Sequence, residues 1–83
     1  MLIWHNSAWD EYLNWQAQDK KTLKRINTLI KDILRHPHEG IGKPELLKGN
    51  LSGFWSRRID DYNRLVYRIV DDDLQIAQCQ RTL

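Results

Sequence analysis

Two short runs of strand-forming residues, 54–59 and 64–70, stand close together in the second half of the sequence. The polar segment between them, residues 60–63, is rich in residues that favour turns. Two such runs joined by a short turn predict an antiparallel β-hairpin. Four arginines lie in the runs: Arg57, Arg58, Arg64 and Arg68. The predicted hairpin therefore concentrates positive charge on a small sheet, which suits a polyanionic ligand.

Alternation along a strand assigns the side chains of this hairpin to two faces, because successive residues point to opposite sides. The first strand has Phe54, Ser56 and Arg58 on one face and Trp55, Arg57 and Ile59 on the other. In the second strand, Leu65, Tyr67 and Ile69 fit a core packed against helices. We therefore expect Arg64 and Arg68 to point away from the helices.

Two helices are predicted ahead of the hairpin. The first has apolar residues at i, i+3 and i+4 spacing, is capped by Asn6 or Ser7 and ends near Gln16. The second begins after Asp19, whose side chain can accept hydrogen bonds from the first turn. It ends just before Pro37, because a proline disfavours helical geometry in its predecessor. Since few residues separate them, the two helices are expected to pair antiparallel.

Three more strands are predicted, in residues 2–4, 45–48 and 74–80. The element order is then β-α-α-β-β-β, and the short turns between the later strands favour an antiparallel meander. This order predicts an α+β fold in which a helical hairpin packs on a small, mainly antiparallel sheet. At 83 residues, the chain is expected to form a single domain spanning residues 1–83.

The charge of the chain is unevenly distributed. Residues 20–68 hold twelve Lys and Arg against five Asp and Glu, a balance of +7, whereas the whole chain carries +2. A basic middle segment of this kind attracts phosphate groups or an acidic protein partner.

Several classes of function are disfavoured by the sequence. It has no apolar run long enough to span a membrane and no secretory signal pattern, and its single cysteine fits a reducing compartment. We therefore expect a cytoplasmic protein without membrane contact. His36, His38 and Glu39 lie in a turn-rich loop but lack a third histidine or cysteine at metal-site spacing. We expect no metal and no other cofactor.

The residue types around the hairpin suit cleavage of an RNA strand without a metal. Such a reaction needs a base for the 2′-hydroxyl proton and cations for the charge of the transition state. Glu45 can serve as the base, and the forked guanidinium groups of Arg58 and Arg64 suit a phosphate. Lys48 adds a point charge. Composition alone equally allows a simpler interpretation, in which Glu45 and the arginines form exposed ion pairs.

The aromatic residues are expected to serve mainly as core. Trp4, Trp9 and Trp55 are predicted to be buried rather than stacked on bases. Tyr62 lies in the predicted turn and is the aromatic residue most free to touch a base.

The segments 43–59, 64–69 and 76–79 resemble the YoeB/Txe-type toxins of bacterial toxin–antitoxin systems, within the RelE/ParE superfamily. Segments 2–4, 9–16 and 19–33 are similar to the same family, so the resemblance covers nearly the whole chain. It implies a RelE-like fold and a ribosome-dependent mRNA endonuclease that cleaves codons in the ribosomal A site. It also implies neutralisation by a YefM-type antitoxin with a disordered C-terminal segment, and a homodimeric toxin.

The resemblance also implies roles for particular residues. The catalytic glutamate of the family falls on Glu45, its helper lysine on Lys48, and its phosphate-binding arginines on Arg58 and Arg64. We expect the RNA to contact five residues: Arg57, Arg58, Tyr62, Arg64 and Arg81.

The C-terminus departs from the family pattern. Family members end in a His-Tyr pair whose histidine acts as general acid, whereas this chain ends in Thr82 and Leu83. A threonine is a poor proton donor at neutral pH, and a leucine does not stack as a tyrosine does. We therefore predict an attenuated nuclease. Two alternatives are a catalytically inactive toxin fold that only binds antitoxin or ribosome, and a ParE-like gyrase poison, which the intact Glu45 and arginines disfavour.

Overall fold

The computed structural model describes residues 1–81, and the two helices and five strands predicted from the sequence are all present. The strands are β1 (Leu2–Trp4), β2 (Glu45–Leu46), β3 (Trp55–Arg58), β4 (Arg64–Val70) and β5 (Asp73–Gln78). The helices are α1 (Asn6–Gln18) and α2 (Lys20–Arg35), and a one-turn 3₁₀ helix occupies Gly49–Leu51. The α+β prediction is confirmed, and the boundaries differ from it by at most a few residues.

The five strands form one mixed sheet in the order β1-β5-β4-β3-β2. The meander from β2 to β5 is antiparallel, and β1 pairs with β5 in parallel, with Trp4 opposite Ile76. The short β2 therefore forms one edge of the sheet, and the N-terminal strand forms the other.

The two helices begin differently. The Asp19 carboxylate accepts hydrogen bonds from the N–H groups of Lys21 and Thr22 and from the Thr22 hydroxyl, so the predicted cap of α2 is confirmed. These hydrogen bonds lower the pKa of Asp19, and the bond from the Thr22 hydroxyl has the largest effect. The cap position of α1 is His5, which makes no side-chain cap bond, so the prediction of Asn6 or Ser7 there is wrong.

The core lies between α2 and the inner face of the sheet, the face towards the helices. Its fully buried side chains include Ile26, Leu29 and Ile33 of α2 and Leu65, Tyr67, Leu74 and Ile76 of the sheet. Trp4 and Trp55 pack against this core, but Trp9 is 43% exposed, so the prediction that Trp9 is buried is wrong. No helix within residues 1–81 is long and apolar enough to cross a membrane.

Candidate nucleic-acid interface and catalytic site

One face of the sheet brings together three of the predicted site residues. Arg58 on β3 lies directly opposite Arg64 on β4, and Glu45 on β2 lies opposite Ser56 on β3. Directly paired residues of neighbouring strands point to the same side of a sheet. Glu45, Arg58 and Arg64 therefore share the face that points away from the helices, which we call the outer face.

The charged groups of this face are held by weak, exposed ion pairs. Glu45 Oε2 lies 3.7 Å from Arg64 Nη1, with 66% of the glutamate side chain exposed. Arg58 Nη2 lies 3.1 Å from Asp61 Oδ1, and 86% of that aspartate side chain is exposed. Exposed pairs of this kind contribute roughly 0–1 kcal/mol. A phosphate group can therefore replace either carboxylate at little cost.

The pairing of Arg58 with Arg64 is unfavourable for folding alone. Like charges directly opposite each other on neighbouring strands destabilise a sheet. Both guanidinium groups remain partly exposed on the outer face. An anion bound between them would relieve their repulsion, so this position suits a phosphate.

The other predicted contact residues are exposed at three further positions. Lys48 is exposed and directly precedes the 3₁₀ turn after β2. Tyr62 is 77% exposed in the β3–β4 turn, next to Asp61. The Arg81 guanidinium lies 3.9 Å from Glu11 of α1, and its side chain is 75% exposed.

The last described residues are anchored from two sides. On one side, two residues of α1 bind the backbone of Cys79. The Cys79 N–H donates to Glu11 Oε1 at 2.8 Å, and Trp15 Nε1 donates to the Cys79 carbonyl at 2.8 Å. On the other side, the Arg64 N–H donates to the carbonyl of Arg81 at 3.1 Å. The last described residue, Arg81, is therefore hydrogen-bonded to Arg64 of the candidate site. The predicted general-acid position, Thr82, and the neighbouring Leu83 lie outside the described residues.

Arg57 does not belong to the interface. Its side chain is completely buried on the inner face, so the prediction that it contacts RNA is wrong. The physical reason is the alternation of the strand, which places Arg57 on the side of Trp55 and Ile59, opposite Arg58.

The buried guanidinium of Arg57 holds the loop between α2 and β2. Nη1 is paired with the Asp32 carboxylate, and Nε donates to the Tyr67 hydroxyl at 3.1 Å. The remaining donors bind backbone carbonyls of the loop: His36, Glu39 and Ile41. The Tyr67 hydroxyl in turn donates to the carbonyl of Pro37 at 2.7 Å. This network fixes residues 36–41, which lead directly to Glu45.

Two members of this network have shifted pKa values, and the loop beside it requires a glycine. The hydrogen bond from Arg57 is the main cause that lowers the pKa of Asp32, and burial raises the pKa of Tyr67. Gly40 has φ +119°, and a β-carbon there would overlap the Asp32 carboxylate. Sequence reasoning missed Asp32 and Tyr67 as partners of Arg57. The available signal was an arginine on the inner face of a strand, which needs a buried acceptor.

The loop histidines have other contacts. His38 stacks on Trp55 with ring centroids 4.6 Å apart, and His36 Nδ1 lies 3.8 Å from Glu39. Within residues 1–81, no three His, Cys, Asp or Glu side chains are grouped so that they could hold a metal ion. The Cys79 thiol is buried, and this burial raises its pKa to about 12, so it is unreactive as a nucleophile.

Two helices packed on a five-stranded mixed sheet form the α+β fold of the RelE-like toxins. The chain belongs to one family among them, the YoeB-like toxins of bacterial type II toxin–antitoxin systems, whose family model matches residues 4–82. The family predicted from the sequence is thereby confirmed, and the chain is a type II toxin of the YoeB type.

Known relatives agree with this assignment. The chain is 61% identical to Toxin YoeB of Escherichia coli (strain K12) over 79 residues, which cover 95% of this chain and 94% of that protein. It superposes on the YoeB/ParE toxin from Agrobacterium tumefaciens with a TM-score of 0.97, at 43% identity and with 99% and 98% of the two chains covered. The toxin in the heterotetrameric YoeB–YefM complex from Staphylococcus aureus gives a TM-score of 0.93 at 44% identity, covering 100% and 97%. A YoeB dimer from Staphylococcus aureus is also similar.

Proposed function

We propose that this toxin is a ribosome-dependent endoribonuclease that cuts mRNA in the ribosomal A site. The observation that carries the proposal is the grouping of Glu45, Arg58 and Arg64 on the outer face of the sheet. A single carboxylate beside two cations supplies the base and the charge stabilisation that cleavage at a 2′-hydroxyl needs.

Each of these residues has a definite role in the proposed reaction. Glu45 leaves its weak pair with Arg64 and accepts the proton of the 2′-hydroxyl, whose oxygen then attacks the adjacent phosphorus. Arg58 and Arg64 bind the phosphate oxygens and stabilise the extra negative charge of the five-coordinate transition state. Lys48 adds positive charge beside them. The ribosome holds the mRNA in place and so supplies the proximity that a small, open site lacks.

The proton for the departing 5′ oxygen is the missing part of this mechanism. Thr82 stands at the position of the family's general acid, and a hydroxyl group of ordinary acidity donates poorly. We therefore propose that the chain binds its target well but cleaves slowly.

The proposal is tested by single-turnover cleavage of a defined A-site codon on programmed ribosomes. The chain should cleave slowly on the ribosome and leave the same free mRNA intact. Arg64→Ala should reduce the rate by a further 10²–10³-fold or so, because one stabilising cation is lost. Arg35→Ala removes an equal charge from the exposed end of α2 and should leave the rate unchanged. Cleavage that survives Arg64→Ala at full rate would exclude this site.

A second candidate function is binding without catalysis, and the substituted Thr82 favours it. Such a toxin would occupy the A site or sequester antitoxin but leave the mRNA uncut. The same assay separates the two, because a purely binding protein gives no product at any incubation time.

We also propose a YefM-type antitoxin as the protein partner, as in the Staphylococcus aureus complex. The +7 balance of residues 20–68 would attract an acidic segment that folds on contact. Titration with a YefM-type C-terminal peptide should show tight binding that weakens as salt is added. Binding that is independent of ionic strength would contradict this electrostatic account.

A homodimer is the proposed oligomeric state. Leu2, Trp9 and Leu13 of β1 and α1 are each about 40% exposed, and Trp9 lines a groove between these elements and α2. Large apolar side chains of this kind suit a symmetric interface. Sedimentation at tens of micromolar should give the mass of two chains, and Trp9→Asp should give that of one. A monomer mass for the unsubstituted chain would refute the dimer.

A further inference from the structure

A second pair of side chains lies on the outer face, away from Arg58 and Arg64. Trp55 of β3 pairs with Tyr67 of β4, so the adjoining residues Phe54 and Arg68 continue this register on the opposite side of the sheet. The guanidinium carbon of Arg68 lies 4.7 Å from the centroid of the Phe54 ring. The two side chains therefore form a stacked pair on the same face as Glu45.

Neighbouring residues hold this pair in place. Arg68 Nε donates to Gln75 Oε1 of β5 at 2.8 Å, and the His5 ring meets the Phe54 ring edge-on, at 6.4 Å and 89°. Both Phe54 and Arg68 are half-buried. Within residues 1–81 Arg68 makes no ion pair, and its terminal N–H groups make no hydrogen bond. Its charge and its planar group are thus fixed and remain available to a ligand.

We propose that Phe54 and Arg68 form a stacking platform for a nucleobase of the bound RNA, beside the nucleotide that is cut. The inference rests on the proposed nuclease function. Phe54 directly precedes β3 and lies four residues before Arg58, about 13 Å along extended chain, so the platform lies along the path of an RNA strand from the phosphate site. Bases stack on guanidinium planes as well as on aromatic rings, and an arginine adds cation–π attraction.

The geometry favours a nucleobase over an acidic peptide. Gln75 occupies Nε, so a carboxylate could bind Arg68 only through its two terminal nitrogens, a contact to which the Phe54 ring adds nothing. A nucleobase, in contrast, can stack on the surface that the ring and the guanidinium form together, because every base has a flat face. The platform would therefore bind flanking bases with little sequence preference.

The test uses ribosomes programmed with mRNA that contains the fluorescent base 2-aminopurine on either side of the bond to be cut. Stacking on the platform should quench one of the two positions when the chain binds. Arg68→Lys keeps the charge but removes the planar group, and Phe54→Leu keeps apolar volume but removes the ring. Each should weaken binding by about 5- to 150-fold and abolish the quench. Arg35→Ala, which removes charge from α2, is the matched control and should change neither.

Each outcome decides the proposal. Full affinity and full quenching with Arg68→Lys would overturn stacking. The proposal would also fail if the variants bound an antitoxin peptide more weakly but bound programmed ribosomes as before. Melting curves show whether Phe54→Leu still folds, and Arg68→Lys decides the matter if it does not. If the unsubstituted chain binds no programmed ribosome, the proposed function fails. The same variants are then compared on free single-stranded RNA containing 2-aminopurine, where equal binding and quenching by all of them overturn the platform.

Discussion

Replacing Arg57 with methionine should lower the free energy of unfolding by about 1–3 kcal/mol, because buried hydrogen-bond acceptors lose their donor. The guanidinium has no exposed surface, and its loss leaves three loop carbonyls without that donor and Asp32 with the N–H of Ile41 alone. For a domain of this size, each kcal/mol lowers the melting temperature by roughly 4–8 °C. Thermal melts of Arg57→Met should therefore show a fall in melting temperature of at least about 4 °C.

The matched control is the next residue along the strand. Arg58→Met removes an identical group whose ion pair with Asp61 is exposed, so it should cost no more than about 1 kcal/mol. Equal losses from the two variants would show that the buried network contributes little to stability.

Acid titration tests the same network from the side of Asp32. Hydrogen bonding from Arg57 lowers the pKa of Asp32 in the folded protein below its ordinary value near 4. The stabilisation is therefore complete above about pH 4 and is lost as the pH falls through the lower, folded pKa. Unfolding of the unsubstituted chain should steepen in that range, and Arg57→Met should lack this component. A pH profile that is unchanged by Arg57→Met would contradict the assignment.

The Arg57 network links stability to the site. Arg57 and Tyr67 bind the loop from one side, and the N–H of Arg58 donates to the carbonyl of Gly42 at 2.7 Å. Two residues further on, Pro44 leads into β2 and Glu45. The position of the proposed base relative to Arg58 and Arg64 thus depends on a buried arginine that itself touches no substrate.

The sequence predicted most of the fold for reasons that are visible in particular residues. Period-2 alternation assigned Arg58 and Arg64 to faces correctly, and the Asp19 cap followed from side-chain chemistry. The parallel pairing of β1 with β5 could not be predicted, because three residues carry no information about their partner. For the same reason the sequence placed Glu45 near the hairpin without giving its register.

The error over Arg57 has a physical origin too. Charge counting treats every arginine as exposed, since an isolated buried charge is very costly. Here Asp32 and the loop carbonyls compensate that cost, and they lie 16 to 25 residues away in sequence. The alternation that put Arg57 beside Trp55 and Ile59 had already indicated burial. At a strand position, the alternation of faces is therefore a better guide to burial than the charge of the residue.

Restoring the family's C-terminal pair should increase the rate of cleavage by about 10²–10⁴-fold. The double substitution Thr82→His and Leu83→Tyr supplies a general acid for the departing 5′ oxygen. One such group lowers the activation barrier by about 3–5 kcal/mol. Ribosome affinity should change far less, because the proposed phosphate contacts of Arg58 and Arg64 do not involve the last two residues. Single-turnover cleavage and equilibrium binding on programmed ribosomes measure the two effects separately.

Glu45→Ala in the restored background is the control for the proposed mechanism. It should abolish cleavage and leave ribosome binding nearly intact, since Glu45 is a proton acceptor and not a phosphate ligand. Two results would contradict the attenuation. Full family-like cleavage by the unsubstituted chain would mean that another group, such as Arg81 or a ribosomal residue, stabilises the departing oxygen. The second contradicting result would be no gain from the double substitution. A histidine at position 82 would then be out of reach of that oxygen, even though the preceding residue, Arg81, is hydrogen-bonded to Arg64.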